Sequence, residues 1–170
     1  MITVISATNR PHSNTLKVAS NYFEMLVHRN IPGKLLSLER LPTDITKTDL
    51  YGHRSKEFQS IVDEYIVPAT KYVFIAPEYN GSFPGILKVF LDALHPDLNR
   101  NKKTALIGVA TGRAGNLRGM DHLTSILNYL GMHVHPHKLP LSKVLELMDE
   151  NGRITDKHTL QLLEIGRHTS

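Results

Sequence analysis

Pro77-Glu78-Tyr79-Asn80-Gly81-Ser82-Phe83-Pro84-Gly85 separates an apolar, strand-like run (Tyr72 to Ala76) from a helix-like run (Ile86 to Leu94). Two Gly and two Pro in nine residues continue neither element, so the chain must turn here. A turn that leaves the carboxyl end of a buried strand and leads into a helix is where open α/β sheets hold ligands. Glu78, Tyr79, Asn80 and Ser82 gather a carboxylate, a phenol, an amide and a hydroxyl at that edge.

On either side, short β-branched runs alternate with longer segments of helical period. The strands are expected at Ile2 to Ala7, Lys34 to Leu38, Lys71 to Ala76, Lys103 to Ala110 and Met132 to His137. Helices are expected at Thr15 to Arg29 (Leu16, Ala19, Phe23, Leu26 and Val27 inward), Lys56 to Ile66, Ile86 to Leu94, Leu117 to Leu130 and Asp156 to Gly166. Pro32-Gly33 and Gly131 end two of them, and Pro84 is pre-set for the start of another. Residues 39 to 53 show no firm period and read as an irregular excursion over the sheet edge.

Strands alternating with helices imply a parallel sheet covered on both faces. Five of each in 170 residues fit one domain over residues 1–170 with the flavodoxin-like, doubly wound architecture. This is a three-layer α/β/α sandwich on a five-stranded parallel sheet of order 2-1-3-4-5. No Gly-x-Gly-x-x-Gly follows the first strand, which argues against a dinucleotide-binding half of the other doubly wound type. Ile86, Leu87, Val89, Phe90, Leu91, Ala93 and Leu94 make the third helix apolar nearly all round, so it needs cover on two sides. A second subunit is the expected cover for the side away from the sheet.

Composition narrows the function. The chain has no cysteine, which excludes disulfides, thiolate metal sites and cysteine nucleophiles. No apolar run approaches the ~20 residues of a membrane span. The amino terminus begins directly on a strand pattern, so neither export nor membrane insertion is expected and the cytoplasm is the expected location. Net charge is +4, but the densest basic piece, Arg100-Asn101-Lys102-Lys103, reads as a solvated loop and not as a nucleic-acid stripe. A mild positive balance suits an anionic small ligand.

Two more loops bear on that ligand. Ala7-Thr8-Asn9-Arg10-Pro11-His12-Ser13-Asn14-Thr15 joins the first strand to a helix. There, free N–H groups and the helix dipole favour an anion, and Thr8, Arg10, Ser13, Asn14 and Thr15 add donors. Ser13 or Asn14 would also cap that helix in any case. After the fourth strand, Thr111-Gly112-Arg113-Ala114-Gly115-Asn116 allows close approach of backbone to a flat ligand. In a 2-1-3-4-5 sheet the three loops line one crevice.

Three stretches carry a resemblance: Thr8 to Thr15, Pro77 to Lys88, and Thr111 to Gly115. Together they resemble the NAD(P)H-dependent FMN reductases, flavoproteins of flavodoxin-like fold related to quinone, azo and chromate reductases. The likeness spans roughly residues 2 to 138. It implies that Thr8, Arg10, Ser13, Asn14 and Thr15 hold the phosphate of FMN. It implies that Pro77, Glu78, Tyr79 and Asn80 border the isoalloxazine, largely through backbone amides, and that Thr111, Gly112 and Gly115 close the other side. It further implies an oxidoreductase that takes hydride from NAD(P)H, reduces a quinone, flavin or similar acceptor, and assembles as a homodimer or tetramer. Such a mechanism needs no catalytic side chain, and none is assigned.

Two other readings stand beside this one: a non-enzymatic FMN-binding redox sensor or electron carrier, and an α/β domain for another phosphorylated small molecule. His133, His135 and His137 alternate and would share one side of an extended strand, a donor set for a metal. Pro136 between them and the lack of a nearby carboxylate favour an edge strand with polar residues, and no metal is expected. The roles of His12 and Arg113 are open at this level.

Overall fold

Apolar side chains alternate between the two faces of every central strand, and that alternation builds the layers. In the computed structural model, which describes residues 1–168 and their side chains as far as Glu164, strands β1 (Ile2–Ser6), β3 (Lys71–Pro77) and β4 (Lys103–Val109) form the centre of a parallel sheet. Ile5, Tyr72, Phe74, Ala76 and Leu106 face one core; Val4, Val73, Ile75, Ile107 and Val109 face the other. Helix α1 (Asn14–Val27) and helix α6 (Lys157–His168) cover the second core through Val18, Tyr22, Leu26 and Leu163. On the first lie α3 (Lys56–Ile61, continuing as a π turn over Val62–Ile66), α4 (Gly85–Ala93) and α5 (Leu117–Tyr129).

The strand order is β2-β1-β3-β4-β5, with β2 at Gly33–Ser37, as the sequence pattern implied. The fifth position is less regular than expected. Only His133–Val134 (β5) pairs with β4 there; after a last bond from the His135 N–H to Thr104 O at 2.8 Å the chain leaves the ladder at Pro136 to Lys138 and rejoins β4 as β6 (Leu139–Leu141). Pro136 has no N–H to give a ladder. His135 Nδ1 accepts the N–H of His137 at 3.1 Å, a local turn that breaks the extended run needed to align the three histidines.

Two further readings are corrected by packing. The buried stripe of α1 is Thr15, Val18, Ala19, Tyr22 and Leu26, while Val27 is more than half exposed. Lys102 is not solvated: its Nζ donates to the Ile66 carbonyl at 2.6 Å and to the Tyr72 hydroxyl at 2.9 Å.

The second side of α4 finds cover within the chain. The stretch after β2 forms a 3₁₀ turn at Leu38–Arg40 and a short helix α2 (Ile45–Thr48), and both meet α4. Leu38, Leu41 and Ile45 share the core of Leu87, Phe90 and Leu91. Ile86 and Val89 keep part of their surface, and Lys88 pairs outward with Asp92 at 2.7 Å.

Candidate functional site

The order of connections reverses between β1 and β3, so the loops after them leave in opposite directions and open a crevice. Register keeps their origins together, with Ser6 beside Ile75 and Pro77 beside Val109. A cleft of about 700 Å³ lies there, walled by the loops after β1, β3 and β4. Arg10, Ser13, Asn14, Thr15, Pro77, Glu78, Tyr79, Asn80, Thr111 and Gly112 all line it. These are ten of the twelve site residues expected from sequence; Thr8 and Gly115 are not among the lining residues.

At the first loop, Ser13 caps α1, its Oγ accepting the Leu16 N–H at 3.1 Å. The N–H groups of Ser13, Asn14 and Thr15 meet no acceptor among the described residues and open toward the cleft end. Arg10 beside them is exposed and has no acidic partner among those residues. His12 bends the loop with a φ of 53° and lines the same end. Thr8 lies beneath, 1% exposed, its hydroxyl 2.9 Å from the Tyr79 hydroxyl and accepting the Arg10 N–H at 3.2 Å. It braces the loop from below and ties it to the one after β3.

The loop after β3 is a hairpin. Tyr79 and Ser82 exchange backbone hydrogen bonds of 2.8 and 3.1 Å around Asn80-Gly81, both of positive φ (53° and 75°). An Asn-Gly pair suits the type I′ turn this requires. The expectation that backbone amides of Pro77 to Asn80 border the ligand is narrowed accordingly. Pro77 has no N–H, the Glu78 N–H is given to Val109 O at 3.1 Å, and the Tyr79 N–H closes the hairpin. Asn80 and Gly81 are left with the open N–H groups.

The hairpin is held from behind by Asn116, a residue that sequence reasoning placed only at the end of a motif. Fully buried, with φ 62°, it donates from Nδ2 to the carbonyls of Ala76 (3.0 Å) and Pro77 (2.9 Å). Nothing local in the sequence marks this reach; only the left-handed turn hints at it. Gly119 makes room, since a Cβ there would stand 2.0 Å from Asn116 Oδ1.

The loop after β4 carries Thr111, Gly112, Arg113 and Ala114 into the cleft. Gly115 belongs instead to the scaffold: a Cβ on it would fall 2.5 Å from Pro140 Cβ, and its φ is 57°. A brace from the segment after β6 was not foreseen. Lys143 (φ 49°) donates its N–H to Gly112 O at 2.9 Å, Ser142 Oγ donates to Arg113 O at 2.7 Å, and Val144 reaches the cleft.

This open carboxyl edge, with unaccepted N–H groups at one end and two tight turns at the other, is the switch-point crevice of a flavodoxin-like α/β fold. Residues 1–146 match the family of NADPH-dependent FMN reductases, and the chain belongs to that family. It is 31% identical over 105 residues to an NAD(P)H-dependent FMN reductase of Pseudomonas aeruginosa, a match covering 59% of this chain and 57% of that protein. Over 106 residues it is 29% identical to a 2-hydroxy-1,4-benzoquinone reductase of a Burkholderia species, covering 59% and 58%. The match thus spans less than six tenths of the length of either relative. Among solved structures, FerB, a flavoenzyme NAD(P)H:(acceptor) oxidoreductase from Paracoccus denitrificans, superposes with a TM-score of 0.77 at 22% identity, covering 99% of this chain and 93% of that one. That likeness confirms the fold.

Proposed function

We propose that the cleft binds FMN, with its phosphate at the amino end of α1 and its ring between the hairpin after β3 and the loop after β4. The observation that carries this is the cradle: N–H groups of Ser13, Asn14 and Thr15 without an acceptor, beside an Arg10 without an acidic partner, among the described residues. Such a set favours a phosphate dianion. At the other end, the open N–H groups of Asn80 and Gly81 offer donors to ring carbonyls, and Gly112 keeps side-chain bulk off the ring.

In this reading the protein is an oxidoreductase that takes hydride from NAD(P)H and reduces a quinone, flavin or similar acceptor. Bound there, FMN would supply the redox chemistry between NAD(P)H and the acceptor. The loops after β3 and β4 would hold the ring, and Arg10, His12 and Arg113 border the cleft with nitrogen-bearing side chains that suit an anionic dinucleotide. No side chain is assigned as acid or base. Residues 1–170 act as one flavin-binding domain. A cytoplasmic location goes with the nicotinamide donor. A homodimer or tetramer has for support the part-exposed Ile86 and Val89 on α4 and the exposed Tyr129 on α5.

The test is steady-state oxidation of NADPH and NADH by FMN-loaded protein with 1,4-benzoquinone or free FMN as acceptor. Turnover well above the protein-free rate is expected. Tight FMN binding without NAD(P)H oxidation would point to the carrier or sensor instead.

A further inference from the structure

The chain holds two Asn-Gly pairs, Asn80-Gly81 and Asn151-Gly152. Such a pair can react with itself. The amide nitrogen of the glycine attacks Cγ of the asparagine, and the lack of a Cβ on glycine leaves that nitrogen open to approach. Folding decides whether the nitrogen is free and whether its peptide can turn toward the side chain.

At Asn151-Gly152 the fold holds the peptide on both sides. Gly152 is buried, its N–H donates to Asp149 O at 2.9 Å, and its carbonyl accepts Asn21 Nδ2 at 2.9 Å. Asp149 Oδ1 also accepts the N–H groups of Asn151 and Arg153, both at 2.9 Å. A Cβ on Gly152 would meet Lys17 Cδ at 2.7 Å, so the lysine stem closes the turn from outside.

Asn80-Gly81 has none of these ties. Asn80 is exposed at the hairpin tip, and both residues line the main cleft. The hydrogen bonds of the hairpin run between Tyr79 and Ser82, outside the pair. Neither the Gly81 N–H nor the Asn80 carboxamide has a partner among the described residues. A Cβ placed on Gly81 would meet one atom beyond its chain neighbours, Arg118 Nη1 at 3.0 Å. Arg118 is exposed and has no acidic partner among those residues. A guanidinium there favours loss of the Gly81 amide proton and the negative charge that gathers on the carboxamide oxygen during attack.

We propose that Asn80 is a self-modification site, and that a flavin bound in the cleft blocks its reaction. A bond forms between Gly81 N and Asn80 Cγ, the bond from Cγ to the carboxamide nitrogen breaks, and ammonia departs with the proton that Gly81 N gives up. Water then opens the cyclic imide at either carbonyl, leaving aspartate or isoaspartate; nothing is oxidised or reduced. The product sets a carboxylate, and in isoaspartate an extra backbone carbon, into a turn whose geometry aims the Asn80 and Gly81 N–H groups. The block rests on the reading of the main cleft as a flavin site, where a ring accepting from the Gly81 N–H holds the attacking nitrogen. The attack itself does not depend on that reading.

Flavin-free protein is incubated at mildly alkaline pH alone, with saturating FMN, and unfolded in urea. Peptides carrying each pair are followed by mass spectrometry for exchange of amide for acid. In urea the two pairs should convert at similar rates, since both are then free of the fold. In the folded, flavin-free protein Asn80 should convert about tenfold faster than Asn151, and FMN should slow Asn80 about tenfold without moving Asn151. Arg118→Leu should slow Asn80 about threefold, with its rate in urea unchanged. Asn80 staying intact while the urea sample reacts, or Asn151 converting as fast as Asn80 in the folded protein, overturns the proposal. Conversion at the same rate with FMN bound overturns the block. If FMN does not bind and Asn80 still converts, the block falls with the flavin reading and the modification stands.

Discussion

At the amino edge of the sheet, Lys102 is tied to Ile66 O and the Tyr72 hydroxyl, and the Met1 ammonium to the Thr70 hydroxyl at 3.3 Å. At the carboxyl edge, Arg10 and Arg113 have no acidic partner among the described residues, and three N–H groups at the start of α1 have no acceptor among them. One parallel sheet thus ends in two kinds of surface. The first ties its cationic groups to acceptors within the fold. The second keeps its donors open in a rigid arrangement, and rigidity comes from parts that do not line the cleft: Thr8, Gly108, Gly115 and Asn116.

The sharpest way to break that contrast is to disturb the hidden scaffold. A Cβ at Gly108 would stand 2.0 Å from the Gly115 carbonyl oxygen and 2.9 Å from Met120 Cε. Gly108→Ala should lower stability by about 3 kcal/mol in urea unfolding and loosen the loop after β4. An unchanged midpoint would show that the loop yields freely. Arg10→Ala should do the reverse. Apo-protein stability is expected to stay within about 0.5 kcal/mol, while FMN affinity drops about 30-fold, or about 2 kcal/mol, by fluorescence titration.

A smaller effect tests the tie between the first two loops. Thr8→Val and Tyr79→Phe, alone and combined, should reveal a coupling of about 1 kcal/mol in unfolding free energy; strict additivity would mean the two hydroxyls do not cooperate. The amino edge gives the mildest signal. Burial pulls the Lys102 ammonium down from 10.5 to about 8. Between those values the unfolded chain holds a proton that the folded one has released, so this group makes stability rise with pH across that window. Compared with Lys102→Met, the wild type should gain relative stability from pH 8 toward 10. Parallel pH profiles would remove Lys102 from the account.

The readable parts of this molecule were those set by local chemistry. Ser13 before an amphipathic run announced a capped helix, and the Gly- and Pro-rich stretch after Ala76 announced a turn. β-branched runs alternating with helical ones, five of each, pointed to the doubly wound parallel sheet, and Gly131 (φ 76°) stops α5 as its position implied. What escaped was long-range. Asn116 acts on carbonyls about forty residues away, and Val144 enters the cleft only because β6 returns to β4 after the break at Pro136. Lys102 looked solvated because its acceptors, Ile66 O and Tyr72, are remote in sequence. The cover for α4 was sought in a second subunit because residues 39 to 53 lack a period, although Leu41 and Ile45 there are buried against it.

The central claim is that the carboxyl edge is a flavin site anchored through phosphate. The most direct measurement compares the affinities of the flavin-free protein for FMN and for riboflavin, which differ only in that group. The account predicts one FMN per chain and riboflavin weaker by about 100-fold, the worth of a charge-assisted phosphate cradle. Equal affinity for the two, or no binding of FMN, would contradict it.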